Sequence, residues 1–297
     1  MSTAKRRLIL CALGALAGVL AWPLTEVILS RQAVFPSYLV FSIALGALFG
    51  LILGAFFGSA YGITSYIRRR IWTGVLTGSL IGLAGGIVGF LFGQAVLFLL
   101  GNLVLTSQRN LQRIGLPVAR ALGWSVLGVF VGMSEGLRVL SLKKTAVGAL
   151  GGFVGGLAGG FLLEYSGLLF PGFPAARLAG FLLFGLLIGF FYGLVEKQLS
   201  YGVLRVLNGA HKGKEYLVGQ ARMTVGSAAK CDMSLPGYRG VGDVHADLAA
   251  RSKEITLRRR DAGGEILVNE EPVAERRVLK YEDVVRMGSA KLTLRID

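Results

Sequence analysis

Two cysteines and two histidines in 297 residues leave no disulfide framework and no cysteine zinc cluster, and they leave little material for metal or acid–base chemistry. Residues 1–199 contain no aspartate and only four glutamates (Glu26, Glu135, Glu164 and Glu196), against 15 lysines and arginines. Charged residues make up 16% of the chain, below the usual share of about a quarter. These scarcities exclude a disordered chain and a wholly soluble one. What is abundant is apolar: hydrophobic residues reach 53%, glycine stands at 44 residues, and the mean hydropathy is +0.62.

The net charge of +15 divides unevenly, +11 before residue 200 and +4 after it. The positive charge sits between apolar runs rather than in a basic stripe with interleaved aromatics, which argues against nucleic acid as a partner. Six apolar runs are long enough to cross a bilayer as helices: 8–29, 38–66, 71–100, 119–140, 145–170 and 177–199. Pro23 marks a kink or an end in the first. Basic residues cluster before span 1 (Lys5, Arg6, Arg7), between spans 2 and 3 (Arg68, Arg69, Arg70), and between spans 4 and 5 (Arg138, Lys143, Lys144). That bias places both termini in the cytoplasm of a multi-pass protein of a bacterial inner membrane. The exception is Arg109, Arg113 and Arg120; the segment Ser107–Ile114 is expected to lie along the outer interface as a short amphipathic helix. Val19-Leu20-Ala21 resembles a signal-peptide cleavage site, but the first run belongs to a series, which argues against its removal.

The series is an internal repeat. Aligning Arg7, Arg70 and Lys144 puts Cys11, Gly74 and Gly148 together four residues on. Small residues then recur every fourth position: Gly74, Gly78, Gly82 and Gly86 in span 3, and Gly148, Gly152, Gly156 and Gly160 in span 5, with Gly14, Ala15 and Gly18 a looser set in span 1. The even spans carry Gly46, Gly50, Gly54, Gly58 and Gly62, then Gly128, Gly132 and Gly136, then Gly185, Gly189 and Gly193. Arg120 and Arg177 precede the last two sets at the same offset. Residues i and i+4 share a helix face, and glycine there lets two backbones approach closely where lipid supplies no hydrophobic drive. The reading is a bundle of three parallel hairpin repeats held by GxxxG contacts, within one chain or between copies in a homo-oligomer. No charge falls at mid-span, and the polar residues there (Ser42, Thr77, Ser79, Gln94, Ser125) read as packing groups.

After Ser200 the pattern changes to short alternating runs between turn residues, from Val203–Leu207 to Lys291–Ile296, the pattern of an all-β sandwich. The domains are therefore 1–199 in the membrane and 200–297 in the cytoplasm. The tail resembles the forkhead-associated (FHA) family of phosphothreonine-peptide-binding sandwiches. The resemblance rests on five pieces in order: Thr224-Val225-Gly226, Cys231–Leu235, Val241-x-x-x-His245-Ala246, Val268-Asn269-Glu270 and Asp283–Gly288. It implies a peptide site at Ser227, Gly242, His245, Gly264 and Asn269. The family's phosphate-gripping Arg falls on Ser227, its phosphate-binding Ser on Gly242, and its backbone-contacting Asn on Gly264. His245 is expected to support the binding loop, and Arg239 is the nearest substitute cation. A phosphate dianion needs charge-assisted donors that Ser and Gly do not supply.

The function expected is a membrane-anchored, non-catalytic adaptor, without cofactor or metal. It would present a degenerate FHA domain to a cytoplasmic protein or peptide, with kinase-linked signalling implied by the resemblance. The alternative is a channel or small transporter regulated by the sandwich. For an enzyme the residues offer only Asp243 and Asp247 beside His245, both on its face if the segment is a strand. Arg258-Arg259-Arg260 could also touch anionic lipid.

Overall fold

The structure, a computed structural model, describes residues 3–65, 68–103, 107–170, 174–251, 254–260 and 264–295. Tyr66, expected in the second span, and Ile296, expected in the last strand, lie outside them. Two compact units are present, one comprising Arg7–Glu196 and one containing the β-structure from Lys197 onward.

Six helices of the first unit are long and apolar enough to cross a membrane. They are α1 (Thr3–Ser30), α2 (Tyr38–Ser65), α3 (Arg68–Leu103), α4 (Leu116–Arg138), α5 (Leu142–Leu169) and α6 (Pro174–Gln198). In a bilayer an apolar run must satisfy its own backbone polar groups, which a helix does. Of the two readings of Pro23 the end is excluded, because α1 continues to Ser30; spanning helices tolerate an internal proline because neighbouring groups take up the freed carbonyl. One expectation is corrected. The expected interfacial helix at Ser107–Ile114 is not separate: Gln108–Asn110 and a π-helical turn, Leu111–Gly115, run straight into α4. Pro117 directly follows the π-helical turn, a local adjustment of the kind by which a spanning helix accommodates the N–H that proline lacks.

The glycines lie where backbones meet. A Cβ built on Gly46, Gly50, Gly54 or Gly58 of α2 would overlap the carbonyl oxygen of Gly86, Gly82, Gly78 or Gly74 of α3, in that order. Between α4 and α5 the same holds for Gly128 against Gly152 and Gly132 against Gly148, while Gly156 and Gly160 meet Trp124. Between α1 and α6, Gly14 meets Gly185, Gly18 meets Phe181 and Gly189 meets Leu10. At the ends of these rows Gly62 faces Ile71, Gly136 faces Thr145 and Gly193 faces Arg7. The rows therefore pair α2 with α3, α4 with α5 and α6 with α1, and not the spans grouped as hairpins in the sequence. A second set of glycines, absent from the expected rows, makes further close approaches. Gly151, Gly155 and Gly159 of α5 face Tyr192, Ile188 and Phe184 of α6, and Gly85 and Gly89 of α3 face Phe130 and Gly123 of α4.

The second unit holds β1 (Val203–Val206), β2 (Glu215–Leu217), β3 (Arg222–Gly226), β4 (Met233–Ser234), β5 (Ala246–Arg251), β6 (Glu254–Arg259), β7 (Ile266–Val268), β8 (Glu271–Pro272), β9 (Arg276–Leu279), β10 (Val284–Met287) and β11 (Ala290–Arg295). They form two sheets, ordered β2-β1-β11-β10-β7-β8 and β4-β3-β5-β6-β9. Alternation sets the inner faces: Ala246, Leu248 and Ala250 of β5 are buried, and they join Val225, Leu257, Leu204, Val268, Val285 and Leu292 in one core. The sequence runs did not include β8 or β9. Both are edge strands, and β9 buries only Leu279, so neither carries an alternating apolar signal.

Candidate functional site

The loops at one end of the sandwich assemble around His245. Its side chain is fully buried. Nδ1 accepts the Gly242 N–H at 3.0 Å, which puts the ring proton on Nε2, 3.3 Å from the Glu265 carbonyl oxygen. Burial lowers the pKa of His245 below its ordinary value; the Glu265 carbonyl opposes that shift and Arg259 adds to it. His245 is thus a neutral strut tying the loop before β5 to the segment before β7. Gly264 lies against it: a Cβ there would sit 3.3 Å from His245 Cε1, and its φ of +88° favours glycine.

Ser227 and Gly242 are brought together, the Ser227 N–H donating to the Gly242 oxygen at 2.9 Å. Ala228 N–H and the Cys231 thiol both bond the Asp243 carbonyl oxygen, at 3.2 and 3.1 Å. The thiol is pushed up in pKa by burial. The Asp243 carboxylate then lies 3.4 Å from the Ser227 hydroxyl, at the exposed rim. A carboxylate therefore stands beside the position where the family resemblance expects a phosphate-gripping arginine. Arg239 is on the same loop, exposed, with its carbonyl oxygen tied to the Ser289 N–H at 2.9 Å.

Asn269 is placed elsewhere. The pairing of β7 with β10 sets Ile266 opposite Met287 and Val268 opposite Val285. Gly264 therefore lies towards the Gly288 end of this pair, and Asn269 towards the Val284 end. There Asn269 donates to Asp283 at 2.8 Å, accepts the Val284 N–H at 2.9 Å, and holds a turn with φ +53°. That arrangement commits its side chain to the turn. The expected shared face of His245, Asp243 and Asp247 is also corrected: Asp243 precedes β5 and meets Ser227, while Asp247 pairs with Arg260 at 2.8 Å. His245 is buried even though the alternation of β5, whose inward residues are Ala246, Leu248 and Ala250, would turn it outward; the Gly242 loop and the Glu265 segment close over it.

Residues 205–296 match the family model described as "Inner membrane component of T3SS, cytoplasmic domain". No curated protein matches the chain. Similar solved structures include an FHA domain studied for phosphothreonine-dependent interactions, at 22% identity over 32% of this chain and 96% of that one, TM-score 0.30. Another is the FHA domain of a Chlamydia trachomatis protein, at 19% identity over 32% and 97%, TM-score 0.30. A third is the cytoplasmic domain of the T3SS sorting platform protein PscD from P. aeruginosa, at 21% identity over 31% and 78%, TM-score 0.29. The C-terminal domain is similar to FHA domains.

Two groups of side chains in the helical unit escaped the sequence reading. Arg120 bonds Glu164 at 3.2 Å and Tyr38 at 3.1 Å, Trp124 Nε1 donates to Glu164 at 2.9 Å, and Arg177 bonds Glu26 at 2.9 Å. At the opposite helix ends Tyr61 is faced by Arg70, Arg138 and Lys144, whose charged groups lie 5.2, 5.4 and 4.8 Å from its ring centroid. Lys144 also pairs with buried Glu135, which accepts from Tyr192. The equal offset of Arg120 and Arg177 was the available signal for the first group.

Proposed function

We propose that this chain is a membrane-anchored, non-catalytic adaptor. Its FHA-like domain, on the cytoplasmic side with both termini, docks a protein partner through the loops around His245, independently of phosphothreonine. The observation that carries the reading is the coupling in one chain of six apolar helices with a domain matching the cytoplasmic part of an inner-membrane assembly component. The carboxylate of Asp243 beside Ser227 supports phosphate independence, because it would repel a phosphate dianion. Kinase-linked signalling is the less favoured context for the same reason. A photo-crosslinking residue at Arg239 in the full-length protein tests this in cells. The expected result is a protein adduct that still forms when permeabilised cells are treated with phosphatase before irradiation; failure to form after that treatment would reverse the reading of the site.

We further infer that the helical unit repeats one plan three times around an axis along the membrane normal. An offset of 74 residues relates Gly54 to Gly128 and also Gly78 to Gly152, the partners in the first two rows of contact. Gly185 and Gly14 take the same places in the third. In that register Leu10, rather than Cys11, stands with Gly74 and Gly148. The two Arg–Glu pairs then occupy equivalent positions, and the third position holds Gly46 and Phe90, which also touch.

The transporter reading is less favoured. Phe49, Trp124, Phe181 and Phe184 meet edge-on or tilted at centroid distances of 4.8–5.0 Å among the helices, an apolar cluster where a conduction path would need polar lining. Flux of small ions through the purified protein in liposomes is the check, with none above empty vesicles expected.

A further inference from the structure

A cavity of 520 Å³ opens among the helices at the end of the bundle that carries Arg120 and Arg177. Its size lies within the range of pockets that hold a small ligand. Its two ends differ in chemistry. The deep end is aromatic, built on Phe49, Phe90 and Trp124, with Phe49 and Phe90 each about 5 Å from Trp124 by centroid (4.8 and 5.0 Å). The mouth is ionic, with Arg120, Arg177 and Glu164 all on the wall.

The charges at the mouth balance when Glu26, the partner of Arg177 and not itself on the wall, is counted. Arg120 pairs with Glu164, and Arg177 with Glu26. Each arginine side chain is nearly half exposed, at 42% and 48%. Both bonds from Arg177 to Glu26 leave from Nη1, so donors remain on a group that carries five. A ligand bearing only negative charge would satisfy the arginines but meet two carboxylates already in place. One bearing only positive charge would meet the reverse. A head group with both charges can add to each ion pair without leaving an uncompensated charge in a low-dielectric site. An apolar tail would fill the aromatic end.

We propose that this cavity binds one zwitterionic amphiphile, a lipid of the phosphoethanolamine class. Its phosphate would lie at Arg120 and Arg177, its ammonium at Glu164, and its acyl chain against Phe49, Phe90 and Trp124. The proposal rests on reading these helices as membrane spans and is independent of what the β-domain binds.

Trp124 is a built-in reporter. In the full-length protein carrying Trp22→Phe and Trp72→Phe, it is the one remaining tryptophan of three. Its fluorescence would be titrated, in a non-ionic detergent, with chain-brominated lysolipids bearing phosphoethanolamine, phosphoglycerol or uncharged glycerol heads. Saturable quenching by the phosphoethanolamine lipid at least tenfold tighter than by the other two is the expected result. Equal quenching by all three, or tighter binding of the phosphoglycerol lipid, would overturn the zwitterion assignment. Displacement of the bound lipid by millimolar inorganic phosphate would overturn the amphiphile and leave a free-anion site. Gly167 lines the cavity, and a Cβ on it would meet nothing within 4 Å. Gly167→Phe should therefore block quenching while the helical circular dichroism and elution volume stay unchanged. Quenching untouched by that variant would show micelle partition alone and sink the proposal. Arg177→Gln with Glu26→Gln removes one ion pair whole and should abolish the head-group preference; preference retained there would likewise count against it.

Discussion

The two regions of this molecule use glycine in opposite ways. In the helices glycine is present for what it lacks: with ordinary helical dihedrals, Gly50 and Gly82 let two backbones touch where any side chain would overlap a carbonyl oxygen. In the β-domain glycine is present for what its backbone can do. Gly237 has a φ of +82° and open space around its missing Cβ, so the constraint there is conformational, not steric. The comparison teaches that one residue type marks a packing surface in a membrane and a turn in a sandwich, and that spacing tells them apart: every fourth residue in the first case, no period in the second.

That difference can be broken by alanine. Gly50→Ala should be the most damaging substitution in the chain, because the new methyl group meets a rigid backbone oxygen on α3 rather than a side chain that can turn away. A loss of at least about 3 kcal/mol is expected, the upper end of overpacking costs, read as a lower denaturation midpoint of the full-length protein in detergent. Gly93→Ala, where the nearest atom is the Ala119 oxygen at 3.1 Å, should cost about 1 kcal/mol on the same scale. Gly167→Ala should be neutral or gain up to about 1 kcal/mol from helix propensity alone. If the three behave alike, the glycines are not read by contact.

How much of this was legible beforehand follows the same division. The six spans were visible because apolar length is a strong signal, and the tail was visible because Val241-x-x-x-His245-Ala246 and its companions fall in order. Which helices the glycine rows join was not visible. A GxxxG face names a close approach without naming its partner, and α1 meets α6 across nearly the whole helical unit. The role of Asn269 was also hidden. A motif supplies a residue's place in the chain, and only the β7–β10 register shows that its side chain closes a turn. Asp243 escaped notice as a neighbour of Ser227 because their contact joins two loops 16 residues apart.

In the β-domain the largest single effect is expected at His245. His245→Ala leaves the Gly242 N–H without its acceptor and empties a buried volume, for about 2–4 kcal/mol. The measure is the urea midpoint for protease protection of the tail in the full-length protein. The glycine rows of the helices should not feel it, since the two units have separate cores.

A smaller effect separates the units by pH. His245 has a pKa lowered by burial from the ordinary 6.5, so the unfolded chain takes up a proton before the folded one does. Its contribution to stability is complete above pH 6.5 and declines as pH falls through that value towards the lowered folded one. The urea midpoint of the β-domain should therefore drop on acidification below about pH 6.5, and His245→Gln should flatten that slope. An unchanged slope in the variant would assign the pH dependence to other groups.

The change most informative about partner choice concerns phosphate. The unaltered protein should bind phosphothreonine peptides weakly or not at all, because Ser227 and Gly242 offer no fixed cation and Asp243 adds a negative charge at the rim. Ser227→Arg alone should not restore binding. The new guanidinium would be beside the Asp243 carboxylate and would pair with it, as Arg260 already does with Asp247. Adding Asp243→Asn frees the arginine, and adding Gly242→Ser supplies a hydroxyl donor. A charge-assisted hydrogen bond contributes about 1.5–3 kcal/mol, so the triple variant should gain roughly tenfold or more in phosphopeptide affinity over Ser227→Arg. Calorimetric titration of the full-length proteins with a phosphothreonine peptide library reads that ratio. Equal affinity for the single and triple variants would mean that the Asp243 carboxylate does not control the site. Micromolar, phosphate-dependent binding by the unaltered protein would mean that the loops bind phosphate by another route, for which Arg239→Ala is the next substitution.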